Sequence, residues 1–381
     1  MKLSIHREIT AIDPAAWSAL LTDDAPFMEY RFLRALESSR SVGAGTGWLP
    51  YYLTVTDEEG LLGAQILYEK EHSYGEYIFD WQWAQAYAQH GRPYYPKLIS
   101  AVPFTPATTR KLLIHPRAER ALVAQTLIGG AEALARERDC HSVHHLFLHG
   151  DELGDFSQSG PPIRHSLQFH WRNNGYGSFE DFLADLKNRK RKQIRKERAA
   201  VADSNVAIHA FTGDALTPEL GDVMRRFYLT TCEEKGAYPY LRAGFFPTLF
   251  NTFADHTLLL LARENDEWVA GSLFFYNDHA LYGRYWGCVA DHDFLHFEMC
   301  YYQGIDWAIA HELPLFEAGA QGPHKLPRGF LPSLTYSAHH LFDAEFHEAI
   351  GRYIEMEKQA IAEEQAEWMT QSPFRSIDEG A

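Results

Sequence analysis

The sequence predicts an α/β (α+β) fold: two tandem domains, each a mixed, mostly antiparallel sheet flanked by helices, related by a pseudo-twofold axis. Three observations carry that expectation. At 381 residues, 46 % of them hydrophobic, the chain exceeds one ordinary core and suffices for two, since domains run to about 100 to 200 residues. One segment recurs without a gap, as GAQILYEKEHSYGEY (Gly63 to Tyr77) and GSLFFYNDHALYGRY (Gly271 to Tyr285). Gly63 matches Gly271, Tyr68 matches Tyr276, Tyr74 matches Tyr282, Gly75 matches Gly283 and Tyr77 matches Tyr285. The elements predicted around the two copies follow one order, which makes the match a repeat of architecture.

Taken along the chain, YYLTVTD (Tyr51 to Asp57) reads as a strand ending in acidic turn residues. The first copy then reads as strand, turn and strand, with EKEH between its apolar and aromatic runs. Ala121, Leu122, Gln125, Leu127, Ile128, Ala131 and Leu134 fall at helical spacing, and SVHHLFLH (Ser142 to His149) reads as the next strand. The second half repeats this: TLLLLARE (Thr257 to Glu264), the second copy with its turn at NDHA, a helix through Met299, Tyr302, Ile305, Ala308 and Ile309, and LPLFEAG (Leu313 to Gly319). Strand, strand, strand, helix, strand is the order of the GNAT acyltransferase core. The expected domains are 1–158 and 159–381, the second carrying a basic helix and a C-terminal helix from Leu341 to about Met369.

Charge narrows the partners. The net charge at pH 7 is −16, yet LKNRKRKQIRKER (Leu186 to Arg198) holds eight Lys and Arg against one Glu. That run contributes +7 and leaves −23 to the rest, a field that repels DNA and anionic membrane, so any polyanion must be met locally. The aromatic share of 14 % excludes a disordered chain. The start, MKLSIHREITAIDP, has no apolar run behind its basic residues, and no stretch of about 18 apolar residues occurs. A soluble, cytoplasmic protein without a transmembrane segment is expected. Cys140, Cys232, Cys288 and Cys300 match neither a zinc ribbon nor a redox pair. The His-rich stretches Cys140 to Glu152 and Asp291 to Glu298 lack a zinc-binding spacing, so no metal is expected.

Several stretches together resemble a known family, the FemAB-like predicted N-acyltransferases, described as peptidoglycan biosynthesis or recognition proteins and related to GNAT enzymes. They are YIFDWQWAQAY (Tyr77 to Tyr87), YYPKLISAVPFTP (Tyr94 to Pro106), LQFHWRNNGYGSFEDFLADLKNRKRKQIRKER (Leu167 to Arg198), GRYWGC (Gly283 to Cys288), LHFEMCYYQGIDWAI (Leu295 to Ile309) and EAGAQGPHKLPRGFLP (Glu317 to Pro332). The resemblance covers most of the chain from about residue 25. It implies a tandem GNAT-like fold and transfer of an acyl group to an amine. Two departures from the family pattern are Pro323, where Glu is more frequent, and Thr108-Thr109, where Thr-Gly is.

Acyl transfer to an amine needs a held donor, a hydrogen-bond donor at the carbonyl oxygen and a base for the ammonium. EAGAQGPHKLPRGF supplies candidates: Gln321, Gly322, Lys325 and Arg328 for the substrate or its phosphate, and His324 as base or orienting group. Composition alone favours a plain Gly- and Pro-rich turn there, and the family resemblance reverses that preference toward a substrate-facing loop. Glu317 at a strand end and Glu298 near a helix start are the alternative carboxylate bases, although an acid in a first helical turn also suits the helix dipole. The basic run reads as a helix with an apolar stripe through Phe179, Leu183, Leu186, Ile194 and Val201 and a basic opposite face. Lys190, Gln193 and Glu197 fall on the apolar side, where unpaired charge is costly. Lys190, Arg191, Lys192 and Arg195 are therefore candidates for holding a phosphate-bearing ligand, against the simpler reading of a solvated face. No permanently bound cofactor is implied. The expected donor is acyl-CoA or aminoacyl-tRNA, with tRNA a partner in the second case, and the acceptor is a small or peptide-like amine. The rival expectation is a non-catalytic recognition protein for cell-envelope precursors or phosphorylated ligands.

Overall fold

The computed structural model describes residues 1–22, 26–289, 292–320 and 322–375. In chain order it comprises β1 (Lys2–His6), α1 (Pro14–Ser18), α2 (Tyr30–Ser38), β2 (Leu49–Asp57), β3 (Gly60–Lys70), α3 (Trp81–Gln89), β4 (Lys97–Ser100), β5 (Leu113–Ile114), α4 (Arg120–Glu137), β6 (Ser142–Leu148), α5 (Leu153–Gln158) and β7 (Ile163–Arg172). Then follow α6 (Phe179–Asp185), α7 (Asn188–Ala202), β8 (Ala207–Phe211), α8 (Pro218–Glu234), α9 (Phe245–Thr252), β9 (Thr257–Glu264), β10 (Glu267–Tyr276), β11 (Ala280–Cys288), α10 (Leu295–Phe297), a π-helical turn Glu298–Tyr302, α11 (Gln303–Ala310), β12 (Leu315–Glu317), a 3₁₀ turn Pro323–Arg328, β13 (Leu331–Leu341) and α12 (Ala344–Thr370). Two compact units emerge: Met1–Ser166 with Leu334–Glu363, and Leu167–Ser333 with the segment from Glu364. Relative to domains of 1–158 and 159–381, the segment Leu334–Glu363 belongs with the first unit, because β13 pairs antiparallel with β6 from Tyr336 to Leu341.

In the first unit the strands run β1-β2-β3-β4-β6-β13, with β4 and β6 parallel and the other pairs antiparallel. One sheet face buries Leu53, Leu67, Leu98 and Val143 against Val123, Leu127, Ala131 and Leu134 of α4. In the second unit the order is β7-β12-β11-β10-β9-β8, with only β11 and β12 parallel. Asn265 and Asp266 both take positive φ, as a tight hairpin turn between β9 and β10 requires. Local chemistry sets the helix starts. Ser178 accepts the Asp181 N–H at 3.1 Å to begin α6, and Thr217 caps α8 with Pro218 in its first turn.

Two expectations are corrected. The second copy forms the hairpin β10–β11, closed by Asn277, whose side chain accepts the N–H groups of His279 and Ala280. The first copy does not fold back: β3 ends at Lys70, and its neighbour on that edge is β4, with Lys70 opposite Lys97. Buried ionic contacts from Lys97 to Glu76 and Asp80 draw residues 71–80 away from the strand path. The basic run is likewise not continuous with the helix before it. Lys187 N–H donates to Pro373 O at 2.8 Å, Arg375 N–H donates to Asp185 O at 3.0 Å and Leu186 bridges Phe374, so the chain is extended at Leu186 and α7 begins afresh.

Candidate active site

In the second unit β11 and β12 share three register pairs, Ala280–Leu315, Leu281–Phe316 and Tyr282–Glu317. β12 then stops while β11 continues to Cys288, and among the described residues no strand continues the β12 pairing beyond Tyr282. The chain leaving β12 turns through Gly322 into the 3₁₀ turn Pro323–Arg328 and out through Gly329, both at positive φ. Side chains are excluded at both positions: a Cβ on Gly322 would lie 2.6 Å from the His324 ring, and one on Gly329 2.7 Å from Phe182.

This turn aims Lys325 inward and His324 outward. Lys325 is 2 % exposed, and its Nζ donates to Gly319 O at 2.7 Å. No carboxylate pairs with it among the described residues, and burial pushes the ammonium down to about 7, opposed by the nearby Cys300 thiol. Cys300 is itself pushed up to about 12 by burial, with Ser272 Oγ at 3.6 Å. His324 is exposed, with Nε2 2.8 Å from the Tyr301 hydroxyl. Desolvation and the neighbouring Lys325 and Arg328 hold its imidazole below the usual range, and His296, 6.3 Å away ring to ring, is held at about 4 chiefly by burial. A neutral imidazole beside a buried cation is a proton acceptor in a site that favours negative charge.

The turn is fastened to the basic helix. Arg328, 4 % exposed, donates through Nη2 to both carboxylate oxygens of Glu197 at 3.0 Å and through Nη1 to His324 O at 2.7 Å. Glu197 also accepts from the Tyr302 hydroxyl and from Gln193 Nε2. The anomalous polar residues of α7 are thus explained by a buried ion pair that fixes the backbone carrying His324 and Lys325. Lys190 is half-buried near this pair, its ammonium lowered by desolvation, Arg189 and Arg328 and raised by Glu197.

The remaining candidates separate. Lys192 and Arg195 are exposed, Arg195 paired with Glu180, and Arg191 is bonded to Asn188. Glu298 is buried at the start of the π-helical turn, where its carboxylate accepts from Arg198 at 3.1 Å and Gln303 at 2.8 Å, with burial raising its pKa. These partners make it one end of an ion pair with α7, and no hydrogen bond joins it to His324 or Lys325 among the described residues. Glu317 is 3 % exposed on β12, opposite Tyr282 and His170. Gln321 lies outside the described residues. Tyr301, Tyr302 and His296 join the site without a role predicted from the sequence: all three lie in LHFEMCYYQGIDWAI, and the π-helical turn that aims the two tyrosines is seen only in three dimensions. Among the described residues no group of three or more His, Cys, Asp or Glu is arranged to hold a metal, and no helix is long and apolar enough to cross a membrane.

A family model described as FemAB-like, peptidoglycan biosynthesis/recognition, matches residues 8–376. No curated protein sequence matches the chain. Among solved structures it is similar to FemX, at 11 % identity and a TM-score of 0.53 over 92 % of this chain and 100 % of that one. It is also similar to the C-terminal domain of a protein described as a lysylphosphatidylglycerol synthetase from Agrobacterium fabrum, at 10 % identity and a TM-score of 0.53 over 89 % of this chain and 95 % of that one. At such identities the likeness is one of fold, a mixed α/β chain whose strands are flanked by helices.

Proposed function

The chain belongs to the FemAB-like family of peptidoglycan biosynthesis/recognition proteins, and from that premise we propose that it is an N-acyltransferase, moving an acyl or aminoacyl group from a phosphate-bearing donor to an amine. The observation that carries this reading is Lys325: a buried amine without a carboxylate partner among the described residues, on the same turn as the exposed His324. A cation costs free energy to bury unless negative charge arrives to meet it, and the oxyanion of a tetrahedral intermediate does so during transfer. In the proposed step the acceptor nitrogen attacks the acyl carbon and a C–N bond forms. Lys325 donates to the oxyanion, the proton leaving nitrogen passes to His324, whose ring the Tyr301 hydroxyl orients, and the bond to the donor's sulfur or oxygen breaks with its electron pair on that atom, which takes the proton back from His324 and leaves as free thiol or alcohol.

The donor is acyl-CoA or aminoacyl-tRNA, and the phosphates of either fit the cations of α7, the half-buried Arg191 and the exposed Lys192 and Arg195. The acceptor is an amine of a peptidoglycan precursor. A thermal-shift panel of CoA, acetyl-CoA, a UDP-linked peptide and charged tRNA tests the reading, because a ligand that binds only the folded state raises Tm. A rise with acetyl-CoA or with charged tRNA names the donor. A rise with the UDP-linked peptide alone, and no transfer to it from any donor, replaces the enzyme with a recognition protein.

A further inference from the structure

A cavity of about 370 Å³ opens in the first unit between the chain leaving α1, the short strand β5 and the start of α4, a size that accepts a small ligand. Leu20, Leu112, Leu113, Ile114 and Pro116 make most of its wall apolar, while Arg110, Arg120 and Asp151 line it with charge. The wall is held from behind. Glu152, wholly buried, accepts the N–H of Lys111 at 2.9 Å and that of Leu112 at 2.7 Å, and Lys111 Nζ donates to the carbonyls of Thr109 at 2.9 Å and Phe147 at 3.0 Å. These buried bonds fix the backbone of 109–112, so this side of the cavity is shaped before any ligand arrives.

The charged groups at the cavity are only partly engaged. Arg110 Nη2 donates to Asp151 Oδ2 at 3.0 Å, and Arg120 donates through Nε and Nη2 to Asp155 Oδ2 at 3.2 and 2.7 Å. Each pair leaves one atom unused: among the described residues, Asp151 Oδ1 and Arg120 Nη1 have no hydrogen-bond partner. The Asp151 side chain is 65 % exposed and that of Arg120 43 % exposed, so a ligand reaches both. The Asp151 carboxyl is held below its usual range chiefly by the Arg110 hydrogen bond, with His149 and Arg120 adding to it. At neutral pH the cavity therefore presents an anion and a cation beside an apolar wall.

A ligand of one charge satisfies only part of this lining, because an anion on Arg120 meets Asp151 as a like charge and a cation on Asp151 meets the two arginines. A molecule with both charges on neighbouring atoms and an apolar body satisfies all of it. We propose that the first unit carries a binding site for a free apolar α-amino acid, its carboxylate on Arg120 Nη1, its ammonium on Asp151 Oδ1 and its side chain against Leu20, Leu113 and Ile114. A peptide carries its two terminal charges at opposite ends, so the free amino acid is the form that brings both to one cavity. The site lies wholly within the first unit, uses none of the transfer residues and stands whether or not that chemistry does.

The test is calorimetric titration of the full chain with L-leucine, L-methionine and L-phenylalanine. Whichever binds is then compared with analogues lacking its ammonium, its carboxylate or its side chain, which for leucine are isocaproate, isoamylamine and glycine. The expected result is binding of at least one of the amino acids, with affinity at least about tenfold lower for each analogue and about tenfold lower in Asp151→Asn and in Arg120→Gln. Both side chains reach solvent, so the two variants keep their fold, and an unchanged Tm checks it. Failure of all three amino acids to bind at about 10 mM, where millimolar affinity is saturated, overturns the proposal. So does an analogue that binds as tightly as its parent, or binding that both variants leave unchanged.

Discussion

Lys325 is the residue on which the proposed transfer most depends, and its burial also has a consequence for stability. A lysine held near 7 when folded binds fewer protons than the unfolded chain does up to about pH 10, so its contribution to stability rises with pH across that window. Compared with Lys325→Met, the wild type should be least favoured below about pH 7 and should gain steadily on the variant toward about pH 10. Urea unfolding of both proteins across that range measures it, and a difference that ignores pH would count against an unpaired buried ammonium. Glu197 matters through its partner. Its removal strands Arg328 in the interior, so Glu197→Ala should cost about 3 to 5 kcal/mol, and a second change, Arg328→Met, should return much of that loss. Equal costs for the single and double variants would show that the pair does not act as a unit.

Among elements, α8 lies hard against β11. A Cβ on Gly287 would fall 1.8 Å from Phe227 O, and the Thr231 hydroxyl donates to Trp286 O at 2.6 Å, so helix backbone rests directly on strand backbone. Gly287→Ala should cost at least about 3 kcal/mol, seen as a Tm lowered by several degrees, and an unchanged Tm would mean that α8 is free to shift. Elements with clean periodicity were legible in the sequence: β2, β3, β9, β10, α4 and α12 announce themselves by alternation or helical spacing. The segment after Lys70 misleads because it also alternates, with the carboxylates of Glu76 and Asp80 flanking Ile78 on its buried side. β13 escapes notice because its buried positions include Thr335, Ser337 and His339, a polar pattern that periodicity does not flag.

At the scale of the molecule, a chain of net charge −16 contains one strongly basic helix. If α7 holds the phosphates of the donor, reversing Arg191 and Arg195 to Glu should abolish the donor-induced Tm rise while leaving the ligand-free Tm within about 1 to 2 °C, because surface substitutions away from buried networks cost little. An undiminished rise would return α7 to a solvated face. The candidate site was legible as a motif, since EAGAQGPHKLPRGF places His324, Lys325 and Arg328 on one turn. Its anchor was legible only as an anomaly, Glu197 on an apolar stripe, because pairing between residues 197 and 328 is decided by tertiary packing. The central claim is transfer at Lys325. It is tested most directly by incubating wild type and Lys325→Met with each donor and an amine-bearing precursor and measuring the acylated product by mass. Product from the wild type, with a rate at least about a hundredfold lower in the variant, is the predicted result; product formed equally by both would contradict it.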